Sequence, residues 1–547
     1  MKKLEQGTPD PTLSSPQERD TTTEYNRSRG TEEYYPYFPG VNDVARVVLH
    51  KYHFKTLKDN ETDNEPIYLY IDPDYQFQII KGEKVYTNEL RNPENAGIYI
   101  RDESQVKKII ENEYINLLNE QLEYAKSFKF EKDNKGKDKG EELIQQLKTK
   151  IKRVGTKFSE LKEILQKIRI ATFVDRREMN PDSYIPLRSG LLNLKTWEVE
   201  PFRADKFYTY KVQGDYNPDI RSLNDIPKFR DLLLSAFPPN YAVTILDYFG
   251  YCYYTAYPMQ KVLLMAGIHR RGKGTLVRIL QYSMSEGFRR IEMEKLLSPD
   301  NRFALQGIEG KKVLVDYEIS RDSKRRLSFT KFNSLFGGDT LDMEEKFRIS
   351  HDITGKFAGI LIGNTPLFYV DDSAFLSRLL IVVSEPDPIS TDIPDLDKSI
   401  WNEEGTRIVS YLLNRLKALV KRNFQFSNQM PYSEYAELWR LLSDSVRIFA
   451  EQYYTEEEGA NVPADLVYEN YKMYCNKLGI VPENEHSFAY RFGKIYPHKR
   501  IRVDGKLESV FSNCAPVLNV PIQKNEEQND DKYIIDDRDR DDIDLDL

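Results

Sequence analysis

The strongest hydrophobic pattern lies near the middle of the chain. The apolar residues 262–266 lead into the glycine-rich stretch 267–275 (GIHRRGKGT). After it, apolar residues recur at 276, 277, 279 and 280, the spacing of one face of an α-helix. The pattern predicts a strand, a glycine loop and a helix in succession. Further buried strands are predicted at 313–315, 357–362 and 379–383. We therefore expect an α/β fold in this part of the chain.

The first half of the chain mixes helical and strand-like patterns. Residues 1–36 are rich in Ser, Thr, Glu, Pro and Gly, which predicts disorder. Helices are expected near 44–49, over 105–170 with a glycine-containing break at 131–140, and over 225–254. Strands are expected at 67–71 and 77–80, paired around a turn at 72–74, and within 184–202.

Asp72 and Asp74 have the i, i+2 spacing of the aspartates that hold metal in polymerase-like primases. Pro73 between them favours a turn. None of the six histidines follows at a distance that suggests a joint site. We favour the turn, and a primase site is the open alternative.

The C-terminal pattern is helix, helix, basic hairpin. Helices are predicted at 465–478, with Leu466, Tyr468, Tyr471 and Tyr474 toward a core, and at 486–495. The Asp-Gly pair at 504–505 suits a tight turn between strands at 499–503 and 506–511. This order is typical of a winged helix. The candidate DNA contacts are Arg491, Lys494, Lys499, Arg500 and Arg502. Winged helices also dock proteins, and that alternative stays open.

The composition limits the number of domains, the cellular compartment and the kinds of partner that we expect. At 547 residues we expect roughly three or four domains. Residues 524–547 carry a net charge of −7 out of −8 for the chain, so overall charge does not argue against nucleic acid. The three cysteines show no metal-ligand spacing. No signal peptide or membrane-spanning run is found, and we expect a cytoplasmic protein with no membrane partner.

The glycine loop has the composition of a phosphate-binding loop. Gly267 and Gly272 let the backbone curl around a phosphate chain, and Lys273 would reach the β- and γ-phosphates of ATP. Gly274 takes the place where a Ser or Thr usually follows the lysine, so Thr275 is the candidate hydroxyl ligand of Mg²⁺. The alternative is a plain glycine turn.

Polar residues after the later strands complete a nucleotide site. Asp316 and Glu318 are two apart and would face one side of a strand, with Mg²⁺ chiefly on Asp316 and water activation on Glu318. Asn364 follows the next strand and would orient the water. Arg378 precedes the last strand and is either a surface residue or a ligand of a neighbour's nucleotide.

This order of motifs resembles the superfamily 3 helicases of phages, plasmids and large DNA viruses, a branch of the AAA+ ATPases. The loop 267–275, the strand ending at Glu318, the segment 337–347, Asn364 with the next two residues, and Arg378 each match a motif of that family. Arg271 stands where Asn is usual, and Asn333 replaces a lysine. Residues 187–198 and 216–218 resemble the region before the ATPase in phage and poxvirus primase–helicases. Trp197 stands there where glycine is more common, and Asn193 where Asp is.

The resemblance implies a DNA-tracking hairpin between the second and third motifs. Residues 345–356 alternate like a hairpin and carry Lys346, Arg348, His351 and Lys356. In the family, a hairpin here points into the ring channel and grips the DNA backbone. A solvated surface hairpin is the alternative.

Together these features predict an ATP-dependent DNA helicase that forms a ring, most simply a hexamer, on single-stranded and forked DNA during replication of a virus or mobile element. An origin-binding initiator, in which nucleotide drives assembly only, is the alternative. The expected organisation is a disordered tail at 1–36, an α+β region at 37–222, a helical linker at 223–257, the AAA+ P-loop core at 258–390, a helical connector at 391–440, a winged-helix domain at 441–520 and an acidic tail at 521–547.

The acidic tail has three open interpretations. Ile543, Leu545 and Leu547 alternate with aspartates. The tail could dock on a replication partner, compete with DNA for the protein's own basic surface, or only solubilise the chain.

Overall fold

The structure is a computed structural model of the chain. It describes residues 35–57, 65–73, 78–80, 83–85, 95–130, 139–154, 158–256, 259–319, 328–344, 350–364, 370, 372–385, 393–478, 480–503 and 506–517. The contacts divide the chain into two compact units.

The first unit comprises Met1–Tyr52 and Glu103–Ala171. Its helices are α1 (Val41–Lys51), α2 (Glu103–Ser127), α3 (Lys139–Ile151) and α4 (Phe158–Ala171). The helical prediction for 105–170 is thus confirmed as three helices. Buried Val44 and Val48 lie one turn apart on α1, so that one face of the helix enters the core. The carboxylate of Glu113 is fully buried, and it accepts hydrogen bonds from Lys51 Nζ at 2.7 Å and Tyr52 Oη at 3.0 Å.

The second unit comprises His53–Asp102 and Thr172–Leu547, so the predicted region 37–222 contributes to both units. Its first strands are β1 (Phe54–Leu57), β2 (Ile67–Tyr70), β3 (Gln78–Ile80), β4 (Glu83–Val85), β5 (Tyr99–Ile100) and β6 (Phe173–Val174). Strands β5-β2-β1-β6 form one sheet, whereas β3 pairs with β4. The predicted pairing of 67–71 with 77–80 is therefore wrong. All four residues of β2 are buried, which suits an interior strand with two neighbours. Asp72 is exposed, and Asp74 lies outside the described residues.

A small antiparallel sheet and two helices precede the glycine loop. Strands β7 (Tyr184–Pro186), β8 (Leu191–Asn193) and β9 (Val199–Glu200) form the sheet. Helices α5 (Pro227–Ala236) and α6 (Pro239–Tyr251) cover the predicted helical stretch 225–254. Phe237 and Pro238 separate them, and Pro239 is the first residue of α6. Neither proline can donate the backbone hydrogen bond that a continuous helix needs.

A five-stranded parallel sheet forms the centre of the second unit. Its elements in chain order are β10 (Val262–Ala266), α7 (Lys273–Met284), β11 (Phe288–Arg290), α8 (Met293–Leu297), β12 (Val313–Asp316), α9 (Thr330–Leu335), the hairpin β13 (Thr340–Met343) and β14 (His351–Thr354), β15 (Ala358–Ile362), α10 (Ser373–Ser377) and β16 (Leu379–Val383). The strand order is β11-β12-β15-β10-β16, and each adjacent pair runs parallel. Every residue of β10, β12, β15 and β16 is buried, as expected for a parallel sheet covered on both faces. The predicted α/β class is confirmed.

The C-terminal part contains α11 (Leu396–Lys421), α12 (Tyr432–Ser443), α13 (Ser445–Tyr453), β17 (Tyr454–Pro463), α14 (Ala464–Lys477), α15 (Glu485–Phe492), β18 (His498–Val503) and β19 (Lys506–Pro516). The predicted helix, helix and hairpin are present. The sequence did not predict β17, which pairs with β19 in the antiparallel order β17-β19-β18. Tyr471 and Tyr474 are buried as predicted, whereas Leu466 is 42% exposed and that prediction is wrong. Leu466 lies at the first turn of α14, where its side chain faces away from the aromatic core.

A buried ionic cluster joins α6 to α11. The fully buried carboxylate of Asp247 accepts hydrogen bonds from the guanidinium of Arg415, from Arg422 Nη2 at 3.0 Å and from the Ser427 backbone N–H at 2.9 Å. Burial lowers the pKa of Arg415, but the charge of Asp247 outweighs this and holds the pKa raised. These contacts attach the long helix α11 to the helix that precedes the glycine loop.

Candidate functional site

The glycine loop begins where β10 ends and stops where α7 starts. Gly267 has a φ of 125°, and a Cβ there would lie 2.1 Å from Ser384 Oγ, so a side chain cannot fit. Gly272 precedes α7 with a φ of 78° in the left-handed region, which glycine adopts without steric cost. The loop therefore leads directly into the N-terminus of α7. At a helix N-terminus, backbone N–H groups and the helix dipole favour the binding of an anion.

Lys273 is the first residue of α7 and is 4% exposed. Its ammonium donates to the Ile268 carbonyl and lies 3.4 Å from Asn364 Oδ1. No carboxylate forms an ion pair with it among the described residues. Burial, together with the nearby charge of Arg271, lowers the pKa of Lys273 to about 8. A buried cation without a carboxylate, at a helix N-terminus, is suited to bind an anion.

Asp316 ends β12 and is 4% exposed. It accepts hydrogen bonds from the Met293 N–H at 2.7 Å and the Glu318 N–H at 3.0 Å. Burial raises the pKa of Asp316 despite these two hydrogen bonds. Glu318 is exposed and lies beyond the end of the strand, so the prediction that both acids share one strand is wrong. The chain turns after Asp316 because its carboxylate caps the Glu318 N–H.

The sheet order brings these groups together. Strand β15 lies between β10 and β12, and the carboxyl ends of parallel strands meet at one edge. Lys273 follows β10, Asp316 ends β12, and Asn364 follows β15. Ligands of open α/β sheets bind at this edge.

Arg378 lies at the end of the sheet where the parallel strands begin, opposite to the end where Lys273, Asp316 and Asn364 lie. It immediately precedes β16, which runs parallel to β10. Its Nη1 donates to the Ala374 carbonyl at 2.7 Å, and no carboxylate pairs with it in the part of the chain that the structure describes. A strand of five residues separates it from the carboxyl edge, a distance of about 17 Å at ~3.3 Å per residue.

Thr275 is half-buried on the first turn of α7. Its Oγ1 accepts a hydrogen bond from Arg278 Nη2 at 3.1 Å. Arg278 Nε also donates to Asp397 Oδ2 at 2.8 Å, and Tyr282 Oη donates to the same oxygen at 2.8 Å. Sequence reasoning missed Arg278 and Asp397. Arg278 follows Gly274 by four residues, and this spacing alone would have indicated that Arg278 lies on the same helix face as Gly274.

The predicted DNA hairpin is partly described. Lys346 and Arg348 lie outside the described residues. The antiparallel strands are β13 and β14, so the first strand precedes the predicted segment. His351 is 91% buried at the side chain, with its Nε2 3.4 Å from Glu309 Oε1, and Arg176 also contacts that carboxylate. Lys356 Nζ lies 2.6 Å from Asp182 Oδ1. These two basic residues thus contact protein carboxylates, and their DNA contacts stay predictions.

The C-terminal basic residues fall into two groups. Lys494, Lys499, Arg500 and Arg502 are exposed, and no ion pair joins them to a carboxylate within the described residues. Strand β18, which carries three of them, is an edge strand. Arg491 differs, because it pairs with Asp444 at 2.8 Å and with Glu483 and so joins α15 to the core of this part.

No group of three or more His, Cys, Asp or Glu side chains that could hold a metal ion is found among the described residues. In the same residues, no helix is both long and apolar enough to cross a membrane.

Two protein families match parts of the chain. The family described as "D5 N terminal like" matches residues 83–238, and "Poxvirus D5 protein-like" matches 442–515. These matches support the resemblance of these segments to the poxvirus-type proteins. The glycine loop lies in the stretch between them. No curated protein matches the chain.

Among solved structures, the chain is similar to three apo structures of the NrS-1 C-terminal region, each at 13% identity. Their TM-scores are 0.31, 0.28 and 0.29. They cover 55%, 55% and 58% of this chain and 79%, 77% and 87% of their own.

Proposed function

We propose that this chain is an ATP-dependent DNA helicase with an AAA+ core of the superfamily 3 type. The observation that carries the proposal is the buried Lys273, which has no carboxylate partner in the described residues and lies beside the loop and the Asn364 amide. A triphosphate supplies the negative charge that this arrangement lacks. Loop N–H groups and Lys273 would hold the phosphates of ATP.

The remaining polar groups fit the Mg²⁺ that accompanies ATP. Asp316 is a buried carboxylate with no ion pair among the described residues, and burial raises its pKa. Asp316 would hold Mg²⁺, which neutralises charge on the phosphate oxygens when bound. Glu318 is exposed and free to turn toward a water molecule, and Asn364 would orient that water.

Arg378 is assigned to the nucleotide of a neighbouring copy. Within one chain it is separated from the loop by the length of β16. An arginine that acts in trans requires a neighbouring copy of the chain, so this assignment implies a homo-oligomer. Repeated head-to-tail contacts can close into a ring, which we propose is a hexamer.

DNA would be bound at two places. The hairpin β13–β14, with Lys346 and Arg348 between its strands, would contact single-stranded DNA by its phosphates. The exposed basic strand β18 of the winged-helix-like C-terminal part would contact duplex DNA. The same strand also suits the origin-binding alternative, in which nucleotide drives assembly without unwinding. The acidic tail is proposed as a partner-docking segment.

The first test is nucleotide binding by the full-length protein. We expect ATP binding and hydrolysis by the wild type and neither by Lys273→Ala. Glu318→Gln should bind ATP without turnover. If Lys273→Ala binds ATP with wild-type affinity, the nucleotide site is not where we place it.

A further inference from the structure

Phosphate-binding loops usually carry a Ser or Thr directly after the lysine. In this chain the residue after Lys273 is Gly274, which has no hydroxyl. Apart from its chain neighbours and the backbone of its own helix, the atom of the described residues that a Cβ built on Gly274 meets within 4 Å is Arg278 Nη1, at 3.3 Å. The guanidinium of Arg278 thus borders the space into which a side chain at 274 would project.

Helix geometry explains this position. Residues i and i+4 lie on one face of a helix, and side chains lean toward its N-terminus. Arg278 follows Gly274 by four residues on α7, so its side chain extends back toward the first turn, where the loop N–H groups would face a bound anion.

The guanidinium is held in this place by two partners. Its Nε donates to Asp397 Oδ2 at 2.8 Å and its Nη2 to Thr275 Oγ1 at 3.1 Å. The Asp397 side chain is 9% exposed and is itself fixed by Tyr282 Oη. Neither bond uses Nη1, and the Arg278 side chain remains 45% exposed.

The hydroxyl of Thr275 already takes part in a hydrogen bond within the protein. It accepts the bond from Arg278, and Thr275 is one position along the helix, about 100° around the axis, from the residue that usually supplies the Mg²⁺ ligand. The loop as folded therefore offers the metal no free hydroxyl at the usual position.

We propose that Arg278 is a nucleotide-binding residue whose Nη1 contacts the phosphates of ATP from the place of the absent hydroxyl, while Thr275 orients Arg278 and does not ligate Mg²⁺. This inference rests on the proposed nucleotide site. A guanidinium there neutralises phosphate charge without a metal, so the chain should hold ATP with less help from Mg²⁺ than a loop that depends on a hydroxyl.

The test is equilibrium binding of ATP to the full-length protein by calorimetry, in Mg²⁺ and in EDTA. Arg278→Leu should weaken binding in EDTA on the order of tenfold, the loss of one charge-assisted hydrogen bond, and weaken it less in Mg²⁺. Thr275→Val should weaken binding in EDTA, though less than Arg278→Leu, because it removes one of the two contacts that hold the guanidinium. Gly274→Ser should lower the Mg²⁺ concentration that supports half-maximal binding, because it adds the hydroxyl.

Arg278→Lys keeps the positive charge and serves if the leucine variant does not fold. Its single ammonium cannot contact Asp397, Thr275 and a phosphate together, so an intermediate loss in EDTA is expected. Wild-type affinity in EDTA for a folded Arg278 variant would overturn the proposal, as would a Thr275→Val variant that keeps wild-type affinity in EDTA but needs more Mg²⁺. Wild-type binding by Lys273→Ala would instead refute the nucleotide site itself, so the two failures are distinct.

Discussion

Lys273 and Asn364 are 91 residues apart in the chain, yet Lys273 Nζ lies 3.4 Å from Asn364 Oδ1. The pair joins the start of α7 to the end of β15, with the buried Asp316 on the next strand. A cation, an amide and a carboxylate from three neighbouring strand ends thus meet at one edge of the sheet. This meeting point is the physical basis of the proposed ATP site.

The lowered pKa of Lys273 predicts an unusual pH dependence of ATP binding. Only the protonated ammonium binds phosphate, and burial lowers its pKa to about 8, below the ordinary lysine value. ATP affinity should therefore be full well below pH 8 and fall as pH rises through about 8, approaching a ~tenfold loss per pH unit above it. Binding titrations from about pH 7 to about pH 9.5 measure this. Lys273→Arg is the control, since its guanidinium stays charged and any remaining affinity should not fall. A flat wild-type profile would contradict the prediction.

Arg378 should act on the nucleotide of a neighbouring subunit. Arg378→Ala alone should lower ATP turnover by about 10³-fold or more without preventing ATP binding. Mixing Arg378→Ala with Lys273→Ala subunits should restore part of the turnover, because some interfaces then combine an intact loop with an intact arginine. No recovery at any ratio, in rings shown to be mixed, would refute the action in trans.

The exposed and the paired basic residues of the C-terminal part should behave differently. Arg500→Ala with Arg502→Ala should weaken duplex binding and reduce its salt dependence by about one unit of slope per lost phosphate contact. Arg491→Ala should instead lower the thermal midpoint, because it leaves Asp444 and Glu483 without their cation. Titrations at several salt concentrations and thermal melts separate the two. Equal effects of both variants on DNA binding would mean that Arg491 also contacts DNA.

Asp247 should be a large contributor to stability. Asp247→Ala leaves the buried guanidinium of Arg415 without its counter-ion, which typically costs ~3–5 kcal/mol. Denaturant unfolding followed by circular dichroism measures the change. Asp231→Ala is the matched control, since that aspartate is 68% exposed beside Arg230 and should change stability by less than ~1 kcal/mol. A similar effect of both substitutions would contradict the assignment.

Sequence periodicity predicted the local elements well and their partners less well. The residues of β10, β12, β15 and β16 lie in continuous apolar stretches of the sequence, and these stretches predicted strands. The pairing of β2 with β1 and β5 was not visible, because the choice of neighbour depends on tertiary packing.

The site shows the same division. Lys273 and Asp316 follow from loop and strand patterns, whereas the contact of Arg278 with Asp397 joins residues 119 apart and leaves no periodic signal. At Trp197 the sequence did carry a signal. The family that the chain resembles more often has glycine at this position, and Trp197 has a φ of 60°, in the left-handed region that glycine adopts most easily. This chain thus keeps the left-handed backbone without glycine.

Strand displacement on a forked DNA duplex tests the central claim most directly. With ATP and Mg²⁺, the wild-type protein should release the labelled strand, and a non-hydrolysable ATP analogue should not support release. Glu318→Gln should bind ATP and the fork but release no strand. Hydrolysis and fork binding by the wild type without strand release would contradict the helicase assignment and favour an initiator that uses nucleotide for assembly alone.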